Sequence, residues 1–592
     1  MEEFKNITEM AEQELALFDW TDYSVFFVML LSSALIGVYF GCFGSRQSTP
    51  AEYLLGGKSM KALPIGLSLV ASHISGITLI GVPSEVYTDT ATYWVICMSL
   101  IVVCLISSYF FLPVLCNINI SSAYEYLELR FSKTVRKFAS VMFIVSCLTY
   151  LPFVIYIPSL ALNQVTGINL HLISVGVSTI CVFYTMLGGL KAVVWTDFLQ
   201  TMVTIVACIA IVIIGTVNVG GLSKVLEIAH AGGKLDIFNM DPNPFQRNTF
   251  WTVFIGSSFT WTAALVSLQG SIQRFIAVPT QRDANKVLAY YYIGMVFLLT
   301  ISVYGGILMY AAYYGCDPIE RKLVSRADQM YPYFVLDKVG YIPALPGLFV
   351  AGVFSAALSS LSAILNTLAG TVYEDYIKRK NSSEKRATIM MKVIVVVFGL
   401  FAVLMVLLAE RMGRVLSVGY TISSITGAPI FAVFILGILV PFATTKGALT
   451  GACSAIAFLT WIAIGQSNAN IHHAQKPVYP GVPNTCEYGF GNTSSLMSAN
   501  FTQSIPEAEE EDDIFFFYKL SFMYLTSFGT ILAVGVGMLV SLLTGSQDLT
   551  LLDPRLISPP LRRFLPKKKM QEYERQQVNL MAEMRDVMVN KE

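Results

Sequence analysis

The chain has 592 residues, of which 55% are hydrophobic and 13% charged, with 39 Lys plus Arg balanced by 39 Asp plus Glu. A soluble domain carries about 25% charged residues, so this chain lacks the charge to cover a water-facing surface. Zero net charge gives no basis for a nucleic-acid partner, and the composition points to a polytopic protein whose apolar side chains face a lipid bilayer.

Residues 1–22 are acidic and too polar for a signal peptide. They are expected to form an outside N-terminus, with the first span retained. A membrane helix takes about 20 mainly apolar residues. Thirteen such segments follow, near 23–43, 62–83, 92–115, 137–163, 168–187, 194–216, 249–272, 287–314, 341–371, 389–409, 415–441, 446–465 and 517–544. With the N-terminus outside, the connections after odd-numbered spans are the basic ones, as cytoplasmic loops are. Lys378, Arg379 and Lys380 follow the ninth span, and "LRRFLPKKKM" lies in a cytoplasmic tail, 546–592. This topology leaves 466–515 as a long outer loop holding the acidic run "EAEEEDD". Sequons at Asn6, Asn492 and Asn500 fall outside and are expected to be glycosylated, whereas those at Asn119 and Asn381 fall inside and stay bare. Most of the ten cysteines sit in apolar spans as small core residues. Cys316 and Cys486 instead lie in polar outer connections that face an oxidising compartment, so a disulfide between them is expected.

The ninth span carries "VFSAALSSLSAILNT", 353–367, with five hydroxyls and an amide in an apolar run. As a helix it places Ser355, Ser359, Ser362 and Asn366 on one face by i, i+4, i+7, i+11 spacing, with Ser360 beside Ser359. Each hydroxyl taken singly could bond its own i−4 carbonyl or ease helix packing. The adjacent pair on an aligned face favours an interior site. Neutral hard oxygens suit an alkali cation if a second, unwound helix adds backbone carbonyls. The second span offers Ala71-Ser72-His73-Ile74-Ser75-Gly76, a poor continuous helix.

Four blocks in order, "YTMLGGLKAVVWTDFLQTMVT" (184–204), "SIQRFIA" (271–277), "LSSLSAILNTLAGTVYEDYI" (358–377) and "GAPIFAVFILGILVPFATTKGALTG" (427–451), resemble the sodium:solute symporter family. With "IGVPSEVY" (80–87) they look most like its branch of monocarboxylate, multivitamin and iodide transporters. The resemblance covers roughly 20–545 and implies an all-α LeuT-type fold in a transmembrane domain, 23–545. One leading helix precedes inverted five-helix repeats at about 62–216 and 249–441, and two helices trail. Polar breaks are expected at Ser72–Gly76 in the second span and at Gly256-Ser257-Ser258 in the seventh, and "GGLKA" reads as a turn between spans. The resemblance places sodium on the carbonyls of Ala71, Ile74 and Ala356 and the hydroxyls of Ser359 and Ser360. It also gives Asp197 a role in binding or passing sodium, although an acid at a helix N-terminus could merely complement the dipole.

The solute is expected beside the sodium, near His73, Ser75 and Thr78, Ser257, Ser258 and Trp261, and Tyr420 and Ser423. His73 is an ionisable group inside a membrane, a functional candidate or a hydrogen-bonded core histidine. Gln269, Gln273 and Arg274 read as fixing the inner end of the seventh span, and no Lys or Arg reads as lying deep in spans two, seven, nine or eleven. Thr88-Asp89-Thr90 stands where the branch carries Arg, an aromatic and Gly, which argues against an anionic solute. The expected activity is sodium-coupled import of a small organic solute across the plasma membrane, a monocarboxylate or related anion by resemblance. A neutral or cationic solute (sugar, polyol, choline-like) and a non-transporting sodium sensor or channel stay open. No enzyme is expected: metal cluster, nucleophile triad and phosphate loop are not legible. The sequence says nothing of oligomeric state.

Overall fold

The computed structural model describes residues 18–43, 60–118, 120, 122–321, 323–324, 326–378, 383–409, 415–469, 515–572 and 575. The three expected glycosylation sites, Asn119, Asn381 and Cys486 lie outside them. Among the described residues ten helices are long and apolar enough to cross a membrane, and two bent helix pairs raise this to twelve.

In chain order α1 is Trp20–Phe43. The first bent pair is α2 (Ala62–His73) with α3 (Gly76–Thr88), turning by 57°. α4 is Ala91–Leu115, α5 Ala123–Arg130, α6 Lys133–Thr166 and α7 Leu170–Val219. After α8 (Leu222–Ala231), α9 (Phe250–Val266) and α10 (Gln269–Ile276) form the second bent pair, again at 57°. Then come α11 (Gln281–Ala312), α12 (Leu345–Val372), α13 (Glu384–Ala409), α14 (Val415–Leu439), α15 (Thr445–Asn468) and α16 (Leu525–Leu543).

The expected "GGLKA" turn is present and tight: Leu170–Val219 is two helices that meet at a kink at Gly189, with φ 52° and ψ −156°. Its 50 residues would make about 75 Å of straight helix, more than twice the roughly 30 Å hydrocarbon core, so α7 holds two spans. One expectation about breaks needs correction. The break of the seventh span falls at Ser267–Leu268, on the far side of Trp261 from Gly256. Gly256 serves packing instead, since a Cβ there would collide with the Met523 carbonyl oxygen.

Burial sorts the helices. The most apolar window of α1 is 22% buried and that of α12 is 89% buried. α12 is therefore enclosed by protein on nearly all sides, which is why it can carry hydroxyls that lipid would not tolerate. Gly347 at its start accepts no side chain, because the Asp22 backbone lies 2.5 Å from where its Cβ would be, and its N–H donates to Asp22 Oδ1 at 2.8 Å. Arg130, the last residue of α5, is 2% exposed. Its guanidinium donates to the carbonyls of Gly437, Val440 and Pro441 at 2.9, 3.0 and 2.9 Å, capping the end of α14.

Candidate sodium and solute sites between the broken helices

α2 ends where the Ile74 N–H donates to Val70 O at 2.8 Å. Ile74 is extended, at φ −88°, ψ 102°, so the carbonyls of residues 71 to 73 lie past the last helical bond and need other partners. The serine pair of α12 supplies them. Ser359 Oγ lies 2.7 Å from Ala71 O and 3.0 Å from Ala356 O. Ser360 Oγ lies 3.1 Å from Ala356 O and 3.4 Å from both Ala71 O and Ser72 O. A cavity of about 10 Å³ is lined by Ala71, Ile74, Ala356 and Ser359 together with Thr201 and Thr204 of α7, room for about one water-sized sphere. The five expected sodium donors are thus brought together. The two α7 threonines were missed, because their own helix reads as an ordinary apolar span.

The rest of the polar face of α12 divides. Ser362 Oγ donates to Ser359 O at 3.1 Å, the local bonding open to any helical serine. Ser355 Oγ and Asn366 Oδ1 are buried without a hydrogen-bond partner.

Asp197 is fully buried on α7. Its Oδ2 accepts from Ser68 Oγ of α2 at 2.6 Å and from Arg274 Nη2 of α10 at 3.3 Å, and Oδ1 has no partner. Arg274 Nε also donates to Ser68 Oγ at 3.0 Å. The acid is therefore no simple dipole partner: it joins both half-helices α2 and α10 to α7.

A larger cavity of about 250 Å³ lies beside the breaks. Six of the eight expected solute contacts line it: His73, Ser75, Thr78, Trp261, Tyr420 and Ser423. Ser257 and Ser258 do not. Ser257 is fully buried, and Ser258 Oγ donates to its own Phe254 carbonyl at 2.7 Å. Arg274 lines the cavity, so the reading that no basic side chain lies deep in these spans is wrong. It failed because α10 runs on to Ile276, beyond the expected end of the span at residue 272. Thr260 and Thr526 were missed as lining residues; Thr526 belongs to the last helix, for which the sequence offers no link to a site. His73 Nδ1 lies 2.9 Å from Leu69 O, and its ring meets those of Trp261 and Tyr291 at 5.8 and 5.4 Å.

Thr88, where the branch carries Arg, is buried, with Oγ1 donating to Ser84 O at 3.0 Å. Positive charge near this end of α3 comes from elsewhere in the chain. Arg247 donates to Glu85 at 2.5 and 2.8 Å, and Lys234 Nζ donates to Tyr87 O at 2.9 Å and Asp89 O at 2.5 Å.

Residues 53–454 match the model of the sodium:solute symporter family. The chain belongs to that family. The symporter is 40% identical over 544 residues to the sodium-coupled monocarboxylate transporter 1 of Homo sapiens, covering 90% of this chain and 89% of the relative. It is 37% identical over 549 residues to the sodium-coupled monocarboxylate transporter 2 of Mus musculus, covering 92% and 87%. With the sodium-dependent multivitamin transporter of Oryctolagus cuniculus it shares 34% over 554 residues, covering 93% and 86%. The solved structure of a sodium-coupled sialic acid symporter superposes with a TM-score of 0.73 at 23% identity, over 90% of this chain and 99% of that one, which shows the LeuT-type fold. Sodium is the co-transported ion of the symporter, and its cargo is a small solute.

Proposed function

We propose that this symporter imports a small monocarboxylate with sodium across the plasma membrane. The observation that carries this reading is the 250 Å³ cavity beside the serine pair, apolar over most of its wall, with Arg274 and several hydroxyls as its polar groups. A short apolar body with one carboxylate end fits such a lining, its oxygens meeting the hydroxyls and the edge of Arg274, whose charge Asp197 shares at 3.3 Å. The relatives named for monocarboxylates, 37–40% identical along nearly the whole chain, support the same class. Sodium is held by the carbonyls of Ala71, Ile74 and Ala356 and the hydroxyls of Ser359 and Ser360. Asp197 serves sodium on its way past Ser68. The ion's inward gradient and the membrane potential, about 2.3 kcal/mol per charge per 100 mV, drive uptake by alternating access.

The chain crosses the membrane thirteen times if α7 counts as two spans joined at Gly189, with repeats over 62–216 and 249–441. An odd count sets the termini on opposite sides, and the basic connections after odd-numbered spans support an outer N-terminus, a cytoplasmic C-terminus and sugars on Asn6, Asn492 and Asn500. Cys316 is disulfide-bonded, and the eight other described cysteines are free, which supports Cys486 as its partner.

The deciding experiment is uptake of radiolabelled propionate by liposomes holding the purified full chain, with an inward sodium gradient or with choline in its place. Sodium-dependent accumulation, competed by other short monocarboxylates, is expected. Competition by neutral or cationic solutes only would overturn the anion reading. Binding of sodium without flux of any solute would make the chain a sensor.

A further inference from the structure

α16 lies outside both repeats, yet it reaches the solute cavity. Thr526 lines that cavity and is 2% exposed. Its position is set by the turn before it. The Ser521 hydroxyl donates to Arg247 O at 2.8 Å. The Phe522 ring lies under the Arg247 guanidinium at 4.8 Å and edge-on to Tyr420, a cavity residue, at 5.6 Å. Met523 is seated against Gly256, where any side chain would collide.

The hydroxyl of Thr526 is the middle of a chain. Thr260 Oγ1 donates to Thr526 Oγ1 at 3.0 Å, and Thr526 Oγ1 lies 2.8 Å from Ser424 Oγ. Ser424 Oγ in turn donates to Tyr420 O at 2.8 Å. A hydroxyl has one proton to give. With Ser424's proton on the Tyr420 carbonyl, Thr526 must give its own to Ser424, and Thr260 gives its own to Thr526. The chain thus has one direction, ended by a backbone carbonyl that can only accept. Thr260 lines the cavity as well, and what it has left for a ligand is lone pairs. Its neighbour Thr262 shows the alternative, donating to the Ser258 carbonyl of its own helix at 2.6 Å.

We propose that Thr526 is a specificity-determining residue of the solute site: by holding Thr260 as an acceptor it favours a solute that carries a hydroxyl donor over one with a bare carbon at the same place. A site arranged to pair with a substrate hydroxyl rejects the analogue that lacks it, because its own buried polar group is then left unpaired. The solute class rests on the carboxylate reading above; the hydroxyl preference itself does not.

The test compares 2-hydroxypropionate with propionate in sodium-driven uptake by liposomes holding the full chain. Thr526→Val should lower the ratio of kcat/KM for the hydroxy acid over propionate at least threefold. Thr526→Ser should stay within twofold of the unsubstituted chain, and sodium half-saturation should not move in either. An active Thr526→Val with an unchanged ratio overturns the proposal, and so does an equal loss for both acids in the Val and Ser variants, the mark of a packing role. If Thr526→Val fails to reconstitute, Thr260→Val is read for the same ratio: a threefold fall supports the proposal and an unchanged ratio overturns it. If the unsubstituted chain carries neither acid, the carboxylate reading falls. The ratio is then read with glycerol over 1,3-propanediol, and an unchanged ratio in Thr526→Val overturns the hydroxyl preference too.

Discussion

The Ser359 hydroxyl lies 2.7 Å from the Ala71 carbonyl oxygen, across a separation of 288 residues. One partner is a side chain on α12, a helix enclosed by protein, the other a backbone oxygen freed by a helix break. Each answers a need of the other: α12 must place its hydroxyls, and α2 must satisfy carbonyls beyond its last turn. A sodium ion bound to these oxygens, as proposed above, would take the place of the hydroxyl protons as their partner.

Ser360→Ala should raise the sodium concentration for half-maximal uptake about tenfold, since a hydrogen bond or ligand to a charged group contributes about 1.5–3 kcal/mol and about 1.4 kcal/mol is tenfold in affinity. Surface expression should change little, because Ser360 Oγ also sits over its own Ala356 carbonyl. Uptake measured against sodium concentration checks this, and an unchanged half-saturation in the Ser359→Ala, Ser360→Ala double variant would remove the pair from the sodium site.

Asp197 and Arg274 form a buried ion pair at 3.3 Å, with side chains 0% and 3% exposed. Removing one partner of such a pair costs about 3–5 kcal/mol, because the other charge stays buried. Asp197→Ala should therefore lower the yield of folded protein sharply. Asp197→Asn with Arg274→Gln should recover much of it, while sodium half-saturation stays raised. Size-exclusion profiles and melting of the detergent-solubilised variants distinguish loss of fold from loss of sodium binding.

Asp89, in the turn between α3 and α4, is pushed up from 3.8 to about 6, by burial first and by the Glu85 charge second. Asn248, which donates to its carboxylate at 2.5 Å, and the charges of Arg247 and Lys234 oppose the rise. A carboxyl whose folded value exceeds its unfolded one keeps the folded state richer in protons between about pH 4 and pH 6, and its contribution to stability falls as pH rises through that window. The difference in melting temperature between this chain and Asp89→Asn should accordingly change between pH 7 and pH 5, with the unsubstituted chain gaining on acidification. A difference constant with pH would show that Asp89 titrates in its ordinary range.

Gly189 has φ 52° and ψ −156°, a region that side chains other than glycine rarely adopt. Gly189→Ala should cost about 1–3 kcal/mol and lower surface expression several-fold. Gly176→Ala on the same helix, with open space around its Cβ position, should leave expression unchanged. Quantified surface labelling of both variants is the measurement.

The sequence alone determined the class and the family, and it singled out the residues that meet at the break of α2. Hydropathy marks the spans and their length because a bilayer has one thickness, and adjacent serines in a buried span are a local pattern visible in one dimension. The poor helix 71–76 was legible from its small and polar residues, whereas picking Ala71, Ile74 and Asp197 out as individual candidates took the family resemblance, since a backbone carbonyl leaves no signal of its own. Only the tertiary structure decided what surrounds the solute. Ser257 and Ser258 sit one helical turn before Trp261 and read as equally good candidates, yet the cavity wall on α9 begins only at Thr260, nearer the break. Arg274 enters the cavity because α10 turns by 57° and runs on, and Thr526 enters it from the last membrane helix, far from Trp261 in sequence. Such contacts depend on crossing angles and on close approaches like Met523 on Gly256, which follow from the packing of whole helices rather than from the residues of any one of them.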